Sequence, residues 1–252
     1  MTRIAIVTGA TGGIGMRFVE QISTYDDVDE IWAVARNNEK LKFLKDTYDK
    51  VVPVVADLSA DGVDVIVQKL NKANVNVTML VNNAGTAYMG RFEEMEKDEV
   101  ESLIKLNCTA PAILVTVTLP HMNKGAKIIN VSSASSFQPN PYLCMYSASK
   151  VFLKNYSRAL GFELKERGIA VTTVCPGWVD TGMLPREKNG KRIKYPGMIS
   201  PDKVVKKALK DSKKGKEMSV PSFFTKYLHF YSKVVPAKIV MKQWARIVKK
   251  YL

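Results

Sequence analysis

Thr8-Gly9-Ala10-Thr11-Gly12-Gly13-Ile14-Gly15, directly after the apolar run Arg3-Ile4-Ala5-Ile6-Val7, decides how the rest of the 252-residue sequence is read. A short β-branched strand that runs into clustered glycines and then into a helical pattern opens a βαβ unit. In open α/β sheets the ligand crevice lies at the carboxyl ends of the strands. Glycines there let the backbone approach a pyrophosphate, and the following helix offers free N–H groups and the positive end of its dipole. Gly9, Gly13 and Gly15 are spaced G-x-x-x-G-x-G rather than G-x-G-x-x-G, and no Lys-Ser/Thr pair follows to make a P-loop. Taken alone, the cluster is equally an ordinary tight turn.

Outward from it, apolar strand-like runs recur at 31–35, 51–55, 77–81, 127–131, 169–174 and 217–220. Helical patterns lie between them at about 13–24, 38–46, 60–72, 97–119, 145–167 and 201–213. Several strands are apolar throughout, as strands are when helices cover both sheet faces. The alternation predicts a single α/β domain, a doubly wound, seven-stranded parallel sheet with helices on both faces. That domain is expected over 1–222, with 182–200 as a lid loop and 223–252 as a basic extension.

The formal net charge is +14, which invites a reading as a nucleic-acid or membrane binder. Residues 1–185 carry a net of −1 and residues 186–252 a net of +15, so the excess belongs to the last quarter of the chain. No nucleic-acid motif accompanies it, and no nucleic-acid partner is expected. Cys108, Cys144 and Cys175 are far apart and form no C-x-x-C, so neither a zinc site nor a disulfide framework is expected and a reducing compartment fits. No signal peptide and no run of 18 apolar residues is read. Leu106–Pro120 reads as a buried helix, and the expected location is cytoplasmic.

Two features carry chemistry. Strand two ends Ala33-Val34-Ala35-Arg36, with Ala35 where an acidic residue would bind the adenine ribose hydroxyl. A guanidinium there can pair with a 2′-phosphate, which favours NADP(H) over NAD(H); a surface arginine is the plain alternative. Tyr146 and Lys150 stand four apart on one helix face. A nearby ammonium lowers the tyrosine pKa from about 10, so the phenol can exchange a proton near neutral pH. Ser133 follows the fifth strand at the same sheet edge, thirteen positions before Tyr146.

With Asp57-Leu58, Asn82-Asn83-Ala84-Gly85, Asn107 and Pro176-Gly177 through Thr181, these residues stand in order and spacing that resembles the short-chain dehydrogenase/reductase family over about residues 3–181. The resemblance implies a Rossmann fold, a nicotinamide cofactor and hydride transfer between a carbonyl and a secondary alcohol. It implies Tyr146 as general acid/base, Lys150 as the group that tunes it and binds the nicotinamide ribose, and Ser133 as the holder of the substrate oxygen. Asn107 would hold a water in a proton relay. The implied cofactor residues are Gly9, Thr11, Gly13, Ile14, Gly15, Arg36, Asp57, Leu58, Asn83, Ala84, Gly85, Tyr146, Lys150, Pro176, Gly177, Val179 and Thr181, with Asp57 at the adenine and Thr181 at the carboxamide. No metal is implied.

Ser136 stands where the family often has glycine, and Phe137 follows it. Substrate contacts are expected from Ser133, Phe137, Tyr142, Tyr146, Trp178 and Met183, with Met89, Cys144 and Leu184 nearby, an apolar and bulky set. A hydroxysteroid or similar lipophile is the first expectation and a 3-oxoacyl thioester the alternative, helped by Arg186, Lys188, Lys191, Arg192 and Lys194 in the loop. An inactive cofactor-binding or sensing protein is the alternative of another class. A homodimer or homotetramer built on the helices at 97–119 and 145–167 is also implied.

Residues 223–252 hold seven Lys/Arg and no acid. Pro236 divides two helical patterns, with Phe224, Leu228 and Tyr231 along the first and Val240, Trp244, Val248 and Tyr251 along the second, beside a basic stripe of Lys238, Lys242 and Arg246. Such a segment either packs on its own domain or a second subunit, or lies on an anionic membrane surface. Lys249-Lys250-Tyr251-Leu252 resembles a dilysine retrieval signal, discounted without a span.

Overall fold

The computed structural model describes residues 1–182, 184, 187–188 and 191–249, with the backbone alone at 188, 191 and 192. Met183, Arg186, Lys250, Tyr251 and Leu252, and the side chains of Lys188, Lys191 and Arg192, lie outside the described residues.

Seven parallel strands form one sheet in the order β3-β2-β1-β4-β5-β6-β9. They are β1 (Thr2–Thr8), β2 (Glu30–Ala35), β3 (Val51–Val55), β4 (Val75–Asn82), β5 (Lys127–Val131), β6 (Ala170–Val174) and β9 (Met218–Ser219). All seven coincide with the predicted apolar runs. A short antiparallel pair, β7 (Glu187–Lys188) with β8 (Lys191–Arg192), lies in the expected lid loop.

Side-chain alternation explains the two covered faces. On β1, Ile4 and Ile6 point into a core built with α3 (Gly62–Lys72), α5 (Ala110–Thr118) and α6 (Cys144–Glu163). Ala5 and Val7 point into the opposite core, built with α1 (Gly13–Ser23), α2 (Asn38–Thr47) and α7 (Pro201–Lys213). Capping sets where the helices begin: Asn37 accepts from Lys40 N–H at α2, and Ser200 accepts from Lys203 N–H ahead of Pro201 at α7.

The pattern read as one helix over 97–119 is α4 (Lys97–Ile104), a π-helical turn at Lys105–Thr109, and α5. Pro111 has no N–H, so the regular bond to the Asn107 carbonyl cannot form there. Lys97–His121 is also long and apolar enough to cross a membrane by length and composition, against the expectation of none. In the fold it is a core helix, with Leu103, Leu114 and Val115 buried against its neighbours.

The chain builds β1, β2 and β3 in one direction and then returns to place β4 on the other side of β1. This reversal opens the crevice in which ligands of such sheets bind. After β9, α8 (Phe223–Val234) and α9 (Ala237–Val248) form a hairpin, joined by the Tyr231 hydroxyl donating to Gln243 (2.8 Å).

Candidate active site

Thr8, at the end of β1, joins the two turns that flank the crevice. Its hydroxyl donates to the Val81 carbonyl (3.2 Å) and accepts from the amides of Asn83 and Ala84 (both 3.0 Å). Asn83 in return donates its amide to the Thr8 carbonyl (2.9 Å). Gly9 takes φ +63° to turn the chain, a conformation disfavoured for residues with a Cβ. A Cβ on Gly15 would stand 2.1 Å from the Gly9 carbonyl oxygen, so only glycine lets α1 start this close to β1. No side chain caps Gly12, and the first turn of α1 holds no acid, so this helix N-terminus suits an anion.

The candidate catalytic side is built from the segment after β5 and the start of α6. Ser133 caps a short 3-10 turn, Ala134–Phe137, accepting from the Ser135 amide (3.1 Å). The Ala134 amide donates to the Pro176 carbonyl (2.8 Å), which ties the turn to the end of β6. Ser136 is buried and donates to the Ser133 carbonyl (2.7 Å), so the departure from glycine adds a brace behind Ser133.

Lys150 is only 4% exposed, and its ammonium donates to the Val131 carbonyl (2.9 Å). The Ser132 hydroxyl donates to the Lys150 carbonyl (2.8 Å), fixing α6 against β5. Asn107, in the π-helical turn, donates to the Thr86 carbonyl (2.9 Å) and the Ser149 hydroxyl (3.0 Å) and accepts from the Thr86 amide (2.9 Å). It therefore stands behind Lys150 and braces it through the neighbouring Ser149.

Electrostatics modify the expectation that the ammonium tunes the phenol directly. Lys150 Nζ is 5.6 Å from the Tyr146 ring centroid and hydrogen-bonds elsewhere. Burial pushes the Tyr146 phenol above its ordinary value, while its hydrogen bond with Ser133 pulls it down. Burial also holds the Lys150 ammonium down at about 8. The Cys175 thiol is pushed up to about 11 by burial, which keeps this free cysteine protonated. The protein alone thus holds a protonated phenol, suited to giving a proton to a carbonyl oxygen.

Ser133, Tyr146 and Lys150 share one cavity of about 1020 Å³ with the glycine turn. Its lining includes Gly9, Thr11, Gly13, Ile14, Arg36, Asp57, Leu58, Asn83, Ala84 and Gly85, and, in the segment after β6, Pro176, Gly177, Val179 and Thr181. Gly15 and Asn107 support this lining from behind. Arg36 is 74% exposed and lies 3.7 Å from Asp57, whose carboxylate also accepts from the amide and hydroxyl of Ser59 and is lowered chiefly by that hydroxyl. Ala35 ends β2, and Lys40, in the first turn of α2, joins Arg36 in the lining; sequence reasoning missed it, because Arg36 precedes the helix and no helical spacing links the two.

Of the expected substrate contacts, Phe137, Trp178, Met89 and Leu184 line the cavity. Tyr142 and Cys144 do not. Tyr142 takes φ +65° and stacks under the Lys249 ammonium (5.9 Å), and Cys144 is exposed at the first residue of α6. The roof is what the sequence did not reveal. Phe224, Leu228, Tyr231, Val240, Gln243, Trp244 and Ile247 of the α8–α9 hairpin complete the cavity. Trp244 donates its indole N–H to the Pro141 carbonyl (2.9 Å) and stacks on Trp178 (6.1 Å between centroids). His229 stacks on Phe137 (4.1 Å). A Cβ on Gly177 would stand 2.6 Å from the buried Thr225 hydroxyl, so that glycine lets α8 approach. Of the apolar stripes read in 223–252, Phe224, Leu228, Tyr231, Val240, Trp244 and Val248 thus face the protein's own domain.

A sequence profile of the short chain dehydrogenase family matches residues 3–192. The chain belongs to that family. It is 36% identical over 191 residues to the human inactive hydroxysteroid dehydrogenase-like protein 1, covering 72% of this chain and 57% of that protein. It is 34% identical over 190 residues to very-long-chain 3-oxoacyl-CoA reductase-A of Danio rerio, covering 71% and 59%. The chain therefore spans less than two thirds of the length of these relatives. A short-chain dehydrogenase from Sphingobium yanoikuyae, solved in complex with NADPH, superposes with a TM-score of 0.77 at 25% identity, over 100% of this chain and 96% of that one.

Proposed function

We propose that this chain is an NADP(H)-dependent reductase that interconverts a ketone and a secondary alcohol on a bulky lipophilic substrate. The observation that carries the reading is the shared cavity: Ser133, Tyr146 and Lys150 stand between a dinucleotide cradle and an apolar chamber roofed by α8 and α9. The cradle fits a dinucleotide because the α1 N-terminus is uncapped and Thr8 holds both flanking turns. Arg36 and Lys40 at its adenine end fit a 2′-phosphate, Ala35 puts no carboxylate at the end of β2, and the nearby Asp57 carboxylate is paired with Arg36.

NADP(H), when bound, supplies the hydride that reduces the carbonyl carbon. The protein handles the oxygen. The Ser133 hydroxyl and Tyr146 phenol hold it, and Tyr146 gives it the proton that completes the alcohol. Lys150, fixed by Val131 and Ser132 with its ammonium 5.6 Å from the Tyr146 ring centroid, would hold the ribose of the bound cofactor and favour the phenolate left after transfer. Asn107 positions this lysine through Ser149.

A hydroxysteroid-like lipophile matches the ring-lined chamber of Phe137, Trp178, Phe224 and Trp244. A 3-oxoacyl thioester is the second reading, favoured by the name of the Danio rerio relative. The name of the human relative raises a third, a cofactor-binding protein without turnover; the assembled Ser133, Tyr146 and Lys150 favour activity. Assembly into a homodimer or homotetramer through α4–α5 and α6 belongs to the same reading, supported by the exposed Ile113, Phe152 and Phe162. A panel of hydroxysteroids, acyl thioesters and small ketones, followed by NADPH absorbance, tests the reaction. Tight NADPH binding with no turnover on any of them overturns it.

A further inference from the structure

The hairpin that roofs the cavity has an outer side of a different kind. On α8, Phe223, Tyr227, Phe230 and Val234 recur at spacings of four, three and four, which places them on one helix face. They are 86%, 53%, 65% and 61% exposed. This stripe is not the one that packs inward: Phe224, Leu228 and Tyr231 face the cavity from the neighbouring side of the helix. Single exposed apolar residues are ordinary, but four in one stripe on a short helix are a contiguous patch. Lys226 and Lys233 are exposed along its flank, and α9 exposes Lys238, Lys242 and Arg246.

We infer that this outer face of α8 docks the protein on an anionic lipid bilayer, with the aromatic stripe at the headgroup boundary and the lysines on the lipid phosphates. An aromatic and apolar stripe edged by basic residues is the composition of helices that lie in a membrane interface. Charge selects this occupant over a second copy. An isologous contact would set the same patch against itself, and residues 223–252 hold seven cations and no acid. An anionic surface instead neutralises them. The inference reaches beyond the reaction proposed above and does not depend on it, although a lipophilic substrate dissolved in the bilayer would then lie close to the hairpin that roofs the cavity.

Co-sedimentation of the full chain with phosphatidylcholine vesicles, with and without phosphatidylserine, tests it. The wild type is expected to pellet with the anionic vesicles, to pellet far less with neutral ones, and to be released as salt is raised. Phe223→Ser with Phe230→Ser removes apolar surface only from the outer stripe and is expected to weaken binding roughly tenfold or more. Lys226→Glu with Lys233→Glu is expected to do the same through charge. NADPH binding, unchanged in both double variants, reports that the fold is intact. A wild type left in the supernatant with anionic vesicles overturns the inference. So does vesicle binding that both double variants keep. A concentration-dependent dimer in the absence of lipid, dissociated by Phe223→Ser with Phe230→Ser, assigns the stripe to a second copy instead. Vesicle binding and turnover are read separately, so each reading fails on its own.

Discussion

The floor and the roof of the cavity are held by different forces. On the floor, Thr8, Ser132, Ser136, Asn107 and Lys150 are joined by hydrogen bonds between buried side chains and backbone, in a part of the chain whose net charge is close to zero. The roof, α8 and α9, rests mainly on rings, Trp244 on Trp178 and His229 on Phe137, beside the Trp244 hydrogen bond to the Pro141 carbonyl, with its cations left outside. Buried hydrogen bonds have narrow geometry and fix atoms to within a fraction of an ångström, as proton transfer requires. Ring stacking tolerates sliding, as a wall for a lipophilic guest can. The comparison predicts that the floor governs rate and cofactor, and the roof governs which substrates enter.

The largest expected effect is on the floor. Tyr146→Phe removes the proposed proton donor and is expected to lower turnover about 10²–10⁴-fold while NADPH binding, read by fluorescence, is kept. If the variant turns over like the wild type, the floor is not catalytic and the comparison breaks.

Lys150 gives a pH signature. Burial lowers its pKa from 10.5 to about 8, so between those values the unfolded chain holds more protons than the folded one. Stability owed to this group therefore rises with pH across that window, and below it the cost of burying the ammonium is present in full. Denaturant unfolding of the cofactor-free protein should show the wild type gaining about 2–3 kcal/mol on Lys150→Met over the window. Parallel pH profiles for the two proteins would mean that Lys150 titrates normally.

Arg36→Ala removes the proposed charge-assisted partner for a 2′-phosphate, and the KM for NADPH is expected to rise about 10–100-fold with that for NADH unchanged. Equal losses for both cofactors would show that Arg36 acts only through Asp57. The smallest effect belongs to the roof. Trp244→Ala should raise the KM for bulky substrates by about tenfold and leave small ketones untouched. A uniform fall in kcat would show instead that the roof also positions the floor.

The floor was legible in the sequence because each of its parts is local. Tyr146 and Lys150 share a helix turn, and Ser133 ends a strand whose neighbours end at the same edge. The braces were less so: Asn107 meets Ser149 across 42 residues, and Ser136 works through a carbonyl only three residues away but takes its position from the turn that Pro176 holds. The roof was legible only in part: the stripe of Phe224, Leu228 and Tyr231 was read and lines the cavity, but the second stripe on the same helix was not. Phe224, Leu228 and Tyr231 form a helical stripe, and so do Phe223, Tyr227, Phe230 and Val234. A helix apolar on two sides does not say which side is inward, because that depends on Gly177 and Phe137, many residues away in the chain.

The positions of the strands, the glycine turn and the Tyr-Lys pair follow from period, spacing and the needs of the backbone, which are properties of short stretches, and the sequence by itself determined them. Which face of the C-terminal helices closes the cavity, and where Arg36, Lys40 and Asp57 meet, depend on contacts between distant segments. Only the tertiary structure decided these, because burial is a property of the partner as much as of the residue.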